Sequence, residues 1–191
     1  MAFLDSLIGP DDKIELNKFD GTSLLKPIVN YDNNRESTKV CFLDLETTGL
    51  NKNEDKIIEL AVKLVAIDKK NGQLIGILNE YQAFQDPLEP IDEKVTQING
   101  ITNEMVKGHS IDWEAVYVIL VESDIVVAHN ASFDRAFMDR YLPLSKDKIW
   151  ACSVYDIDWA TRGFSSKGQE LLCIWHGFYF DSHRAMSDVD A

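Results

Sequence analysis

The sequence predicts an α/β domain: one mixed five-stranded sheet, an antiparallel meander extended by two parallel strands, with helices on both faces. Two observations carry this reading. Three strand-like runs follow one another with no helical segment between them, KVCFLDLE, IIELAVKLVAID and LIGILNEYQAF. Further on, short apolar runs alternate with helical ones, the order expected when strands are joined by helices packed on the sheet.

Residues 1–38 are polar and aperiodic apart from SLLKPIV and end in YDNNREST. They read as an N-terminal extension or linker, partly ordered at best. The domain itself is expected over 39–191. KVCFLDLE, from Lys39, is rich enough in Val, Phe and Leu to be a central strand. KKNGQ separates the next two strands, and its Asn71-Gly72 pair is a strong hairpin signal. Short helical segments fall around DEKVTQIN and TNEMVK. In DWEAVYVILVES, Val116, Ile119 and Leu120 recur at helical spacing behind Asp112, a capping residue. DIVVAH is a short buried strand. NASFDRAFMDRY is a helix with Asn130 as its cap and Phe133 and Phe137 one turn apart. IWACS is the last core strand, VYDIDWATR a helix, and GQELLCIWHG a helix stopped by Gly177. HRAMSDVDA opens the final helix.

The bulk composition narrows the class. A chain of 191 residues suits one well-cored domain, and 45% hydrophobic with 27% charged residues is ordinary for a globular protein. No stretch approaches the ~18 consecutive apolar residues of a membrane span. MAFLDSLIGPDD lacks the basic start and length of a signal peptide. Cys41, Cys152 and Cys173 are odd in number, far apart and set among apolar neighbours. They read as buried thiols in a reducing compartment, hence a cytoplasmic protein, and not as a disulfide framework or zinc site. The net charge of −13 argues against a general affinity for nucleic acid. It leaves room for an enzyme that handles a strand end locally through metal ions.

The chemistry concentrates in DLETTGL. Asp44 and Glu46 alternate with Leu43 and Leu45, so the two acids share one face of a strand. Taken alone, such a pair marks a strand meeting water. Asp134, in HNASFD, falls in the first turn of a helix, where an ionised carboxylate is favoured. In HRAMSD, His183 and Asp188 lie about 140° apart if both are helical, so they converge only if His183 belongs to the loop before the helix.

Taken together, FLDLETTGL, INGITNEMV, AHNASFDRAF and HRAMSDVDA resemble, in order and spacing, the motifs of the DEDDh 3′–5′ exonucleases. That group includes the proofreading epsilon subunit of bacterial DNA polymerase III. The resemblance covers the chain from about Lys39 to Ala191. It implies a ribonuclease H-like fold, which agrees with the mixed sheet read above. Four carboxylates in one pocket repel by about 4 kcal/mol per pair at ~4 Å even when well screened, so protons or cations must accompany them. An all-oxygen donor set suits Mg²⁺ or Mn²⁺.

By the same resemblance, Asp44, Glu46, Asp134 and Asp188 would hold two such ions, and His183 would be the general base acting on the attacking water. Thr47 and Thr48 would meet the terminal 3′-hydroxyl through their backbone, and Leu50 would pack on the terminal base. Asn99, Asn130 and Phe133 complete the expected substrate contacts. Asn99 stands where many members have His. The implied function is a two-metal 3′–5′ exonuclease releasing nucleoside 5′-monophosphates from single-stranded DNA. The same family accommodates RNA or short oligonucleotides as substrates, and a catalytically silent nucleic-acid-binding module is the reading from another class. A polymerase or repair partner fits the resemblance; a membrane does not. Because the sequence stops three residues after Asp188, the last helix is expected to be truncated and Asp188 poorly held.

Among lesser candidates, His109 and His176 lack ligand partners at useful spacing. The late aromatics, Trp150, Tyr155, Trp159, Phe164, Trp175, Phe178, Tyr179 and Phe180, suggest base-stacking platforms, but core packing of the late helices is the reading for most of them. Arg135, Arg140, Arg162, Lys167 and Arg184 either follow a phosphate backbone or solvate helix faces.

Overall fold

Strands β2 (Ser37–Thr47), β3 (Ile57–Asp68) and β4 (Leu74–Phe84) form the expected antiparallel meander. They belong to a computed structural model that describes residues 13–19 and 36–191. Strands β5 (Ile125–Ala128) and β6 (Trp150–Cys152) add in parallel on the far side of β2, so the sheet order is β4-β3-β2-β5-β6. The strand carrying Asp44 and Glu46 is therefore central. Helices α1 (Glu93–Asn99), α2 (Asn103–Val106), α3 (Trp113–Glu122) and α4 (Ala131–Tyr141) lie between β4 and β6 in the chain. Helices α5 (Gln169–Trp175) and α6 (Ala185–Asp190) follow.

Strand alternation sorts the side chains of the sheet into two faces with different jobs. Cys41, Leu43 and Leu45 of β2 pair with Leu64, Val62 and Leu60 of β3. Together they pack on Val116, Ile119 and Leu120 of α3 and on Phe137 and Met138 of α4. The opposite face carries Asp44 and Glu46 beside Ala61 and Glu59, with Lys63 opposite Phe42. Helix α6 covers this charged face, touching both β2 and β3. A register shift between Glu46 and Thr47 breaks the β2–β3 ladder just past the second acid. Such a bulge bends the strand end and re-aims its side chains.

Several local expectations hold for physical reasons. Asp112 caps α3, accepting from the N–H groups of Glu114 and Ala115. Gly72 adopts φ 70° in the turn between β3 and β4. The rings of Phe133 and Phe137 lie 5.0 Å apart.

Others are corrected. VYDIDWATR is a series of turns, not a helix. Asp156 accepts the N–H of Cys152, Asp158 accepts the N–H of Thr161, and the Trp159 indole donates to Ser153 O. These side chain–main chain bonds offer the backbone an alternative to helical pairing. Asn130 stands at the start of α4 in the left-handed region, φ 74°, and its side chain makes no capping bond. Of the three cysteines only Cys41 is fully buried; Cys152 and Cys173 are half-buried, and all three are free thiols. Most of residues 1–38 lies outside the described residues. Within 13–19, β1 (Asn17–Lys18) pairs in parallel with β7 (Phe178–Tyr179), a two-residue pairing that local sequence does not announce. Among the described residues no helix is long and apolar enough to cross a membrane.

Candidate active site

Asp44 and Glu46 reach the C-terminal end of the central strand on the face covered by α6. Helix α6 brings Asp188 to them: one carboxylate oxygen from each of Asp44, Glu46 and Asp188 lies within 4.8 Å of the others. Asp134, almost fully buried in the first turn of α4, lines the same cleft of about 630 Å³. Asn99, Asn130, Phe133, Thr47, Leu50 and His183 line it as well. Ten of the eleven residues expected at the site thus converge. Thr48 does not line the cleft; its N–H donates to Lys56 O and its hydroxyl accepts from Lys56 N.

His183 meets Asp188 in the way that helical geometry demanded. Helix α6 begins at Ala185, so His183 belongs to the preceding loop, exposed at the cleft with φ 62°. A non-glycine residue held there carries backbone strain of about 1–3 kcal/mol, which surrounding contacts must hold in place. Asp188 turns back to accept the N–H of Arg184 at 2.9 Å, closing the first turn of its own helix.

The short helix is also tied down from outside. Arg184 grips Glu59 with two bonds, Nη2 to Oε1 at 3.0 Å and Nε to Oε2 at 3.1 Å. Glu59 takes further donors from Ala185 N and Gln82 Nε2, so this buried carboxylate is fully partnered. Lys63 holds Asp190 at the far end, and Gln169 Nε2 donates to Asp188 O at 2.6 Å. The expectation that Asp188 is poorly held is therefore corrected for the described residues. Glu59, Lys63 and Gln82 answer from the sheet.

Burial, and then the mutual repulsion of the acids, decides the electrostatics. Asp44 is held well above the usual carboxylate range by desolvation and by the charges of Asp134, Asp188, Glu46 and Glu59. Burial likewise pushes Glu46 up to about 7, against a hydrogen bond from Asn99, and Asp188 up to about 6. Asp134 is raised for the same first reason, although backbone N–H groups favour its charged form. The site without metal therefore retains protons at pH values where free carboxylates have lost theirs.

A raised carboxylate stabilises the folded state below its ordinary value near ~4, and that contribution is lost as pH rises through the raised values of about 6 and 7. In EDTA the melting temperature is accordingly expected to fall between pH 5 and pH 8. Saturating Mg²⁺ or Mn²⁺, at about a hundred times Kd, contributes roughly 2.7 kcal/mol, or about 5–10 °C, at pH 8 and clearly less at pH 5. Scanning calorimetry at the two pH values checks this. A metal effect equal at both, or larger at pH 5, contradicts it.

Asn99, on the cleft wall, is also bonded within the site. Its Nδ2 donates to Glu46 Oε2 at 3.1 Å, and its Oδ1 accepts from Ile101 N at 3.0 Å. At the rim, Leu50 is 86% exposed and Ile98 63% exposed, two apolar side chains facing the cleft with little else to cover them. The loop carrying Leu50 is tightly built. A Cβ at Gly49 would come within 2.4 Å of Asp55 Oδ2, the atom that accepts from Asn51 N. Arg140 fastens the same loop through Lys52 O and Asp55 O. Gly49→Ala is expected to displace Asp55 and raise KM for an oligonucleotide about tenfold, one broken charge-assisted bond, with kcat little changed. Steady-state kinetics checks it.

Sequence reasoning overlooked Glu59 and, although Arg184 was among the cations considered, their pairing. The available signal was an acid in IIELAVKLV, a run otherwise apolar but for Lys63. Among the cations read as either following a phosphate backbone or solvating helix faces, Arg140 and Arg184 are engaged as above, and Arg135 bonds Lys146 O and pairs with Asp139.

Fold and site together define a nuclease centre of the acid-cluster type, and comparison with known proteins agrees. Residues 41–191 match the RNase T-type exonuclease family, so the chain belongs to that family. The PolC-type DNA polymerase III of Listeria innocua is 39% identical over 110 residues, 54% of this chain and 7% of that protein. The Thermotoga petrophila PolC-type enzyme is 31% identical over 140 residues, covering 71% of this chain and 9% of that one. The chain thus spans less than a tenth of these relatives. Among solved structures, the zinc-bound form of the E. coli exonuclease I complex with single-stranded DNA superposes with TM-score 0.63 at 17% identity. The superposition covers 80% of this chain and 38% of that one. The complex of the same enzyme with a dT13 oligonucleotide gives 0.62 at 18%, covering 80% and 39%. This likeness establishes the ribonuclease H-like exonuclease fold.

Proposed function

We propose that the chain removes nucleotides one at a time from the 3′ end of single-stranded DNA, releasing nucleoside 5′-monophosphates by two-metal hydrolysis. The observation that carries this reading is the convergence of Asp44, Glu46 and Asp188 within 4.8 Å, with Asp134 and His183 on the same cleft. An all-oxygen cluster that burial and repulsion keep partly protonated fits Mg²⁺ or Mn²⁺, which prefer such donors and relieve such repulsion. A pair of these ions would neutralise the attacking and leaving oxygens of the phosphodiester.

The chain's own residues supply the rest. Asp44, central to the cluster, would be shared between the two positions, with Glu46 and Asp188 on one side and Asp134 on the other. Asn99 orients Glu46 through its amide. His183, exposed at the mouth of the cluster, would take the proton of the attacking water, the role histidine fills most often among side chains. Leu50 and Ile98 offer an apolar surface to the terminal base, and Phe133 and Asn130 flank it. Thr47 is the remaining group for the terminal 3′-hydroxyl, since the Thr48 amide is engaged by Lys56. The PolC-type relatives support a role beside a DNA polymerase and a cytoplasmic setting, and the exonuclease I complexes support single-stranded DNA as substrate.

The test uses 5′-labelled and 3′-labelled DNA and RNA oligonucleotides of one sequence with Mg²⁺, Mn²⁺ or EDTA. The expected result is a ladder from the 5′-labelled DNA, labelled mononucleotide from the 3′-labelled DNA, and no cleavage in EDTA. His183→Ala is expected to lower kcat by about 10²–10⁴-fold. Cleavage that persists in EDTA, or that begins at the 5′ end, overturns the reading.

A further inference from the structure

Most aromatic and cationic side chains in the second half of the chain are engaged in packing. Phe164 is surrounded by Trp159, Trp175 and His176 at 5.5, 5.3 and 5.4 Å between ring centres. Arg135, Arg140 and Arg184 hold backbone carbonyls or carboxylates. Tyr155 and Lys167 differ. Tyr155 is 69% exposed in the turn after β6, and Lys167 Nζ sits 5.4 Å from the centre of its ring. With the ammonium over the ring, the tyrosine still presents most of its surface to solvent.

Their position relative to the cleft is set by His129. This half-buried residue lines the cleft, and its Nδ1 lies 2.8 Å from Ser153 Oγ, two residues before Tyr155. Its ring also meets the backbone of Lys167, whose neighbours Gly168 and Gln169 form part of the cleft wall. One imidazole of the cleft wall thus touches both the tyrosine's turn and the lysine's loop. An aromatic face next to an ammonium is the pairing that single strands need: bases stack on the ring whatever their identity, and the cation meets the phosphate between them. On a chain of net charge −13 with an acidic centre, a cation at the rim is where an approaching backbone can be met.

We infer that Tyr155 and Lys167 form a strand-binding subsite at the rim of the cleft, with Tyr155 stacking a base upstream of the scissile bond and Lys167 contacting its phosphate. This rests on the exonuclease reading above for the direction of the strand. The subsite accounts for affinity toward oligonucleotides and contributes nothing to a substrate that ends at one nucleotide.

The experiment measures two quantities on wild type, Tyr155→Ala, Tyr155→Phe and Lys167→Ala. The first is Kd for fluorescein-labelled dT8 by anisotropy in Ca²⁺, and the second is turnover of thymidine 5′-p-nitrophenyl phosphate in Mn²⁺. Tyr155→Ala is expected to raise Kd by about 5–100-fold, the usual range for one lost stacking contact, while Tyr155→Phe stays within about twofold of wild type. Lys167→Ala is expected to flatten the slope of log Kd against log salt by about 0.7. None of the three is expected to change turnover of the nitrophenyl ester. An unchanged Kd in both alanine variants, or an equal loss on the ester and on dT8, overturns the subsite. A wild type that leaves the ester intact overturns the exonuclease reading instead, and the subsite is then decided by the anisotropy.

Discussion

Asp44→Asn is expected to abolish hydrolysis, by roughly 10³-fold or more, while raising the melting temperature of the metal-free protein. Both effects come from one cause. Asp44 is the carboxylate most crowded by others, desolvated and surrounded by Asp134, Asp188, Glu46 and Glu59. Replacing it with a neutral isostere removes like-charge repulsion of up to about 4 kcal/mol per pair at ~4 Å, part of which protons already relieve, so a gain of a few degrees is expected in EDTA at pH 8. In Mn²⁺ the order is expected to reverse, because the variant lacks one carboxylate of the cluster that would hold the cation. The loss of rate lies at or beyond the upper range for removing one group that stabilises developing charge. Melting curves of both proteins with EDTA and with Mn²⁺, beside an oligonucleotide assay, read all three outcomes. A variant less stable than wild type in EDTA would contradict the account of the acids.

Arg184→Ala has the largest expected effect on stability. Glu59 is fully buried and takes both guanidinium bonds, so removing Arg184 leaves a buried charge close to Asp44 and Glu46. Breaking one partner of a buried pair costs about 3–5 kcal/mol. The lower end applies here, since the Arg184 side chain is 37% exposed and Ala185 and Gln82 still donate to the carboxylate. A fall of about 6–12 °C in melting temperature follows for a chain of this size. Activity should fall with it, because α6 loses its grip on the sheet and Asp188 its position. Replacing both partners, Glu59→Gln with Arg184→Met, is expected to restore most of the stability. If the double variant is as unstable as the single one, packing and not charge explains the loss.

The sheet and the acids were legible because each leaves a local mark. Long apolar runs separated by Asn71-Gly72 define the meander, and strand alternation puts Asp44 and Glu46 on one face whatever the rest of the fold does. What was hidden depends on partners far away in the chain. Glu59 reads as an odd residue in an apolar strand until Arg184, 125 residues later, is seen to hold it. The short last helix looks unstable on its own length, and Glu59 and Lys63 of the sheet, with Gln169, show why it holds Asp188. VYDIDWATR has helical composition, yet Asp156, Asp158 and Trp159 bond the backbone locally and turn it instead. The pairing of Asn17–Lys18 with Phe178–Tyr179 spans the whole domain on two residues of each strand and has no local signal.

These acids are expected to tolerate one another as a proton- and metal-sharing centre. Titration calorimetry of Mn²⁺ binding at pH 7 in two buffers of different ionisation enthalpy tests it directly, since the difference counts protons released. With Glu46 raised to about 7 and Asp44 and Asp134 raised as well, binding is expected to release about one proton or more per chain, and Asp44→Asn to weaken the binding sharply. Binding without proton release, and equally tight in Asp44→Asn, would contradict it.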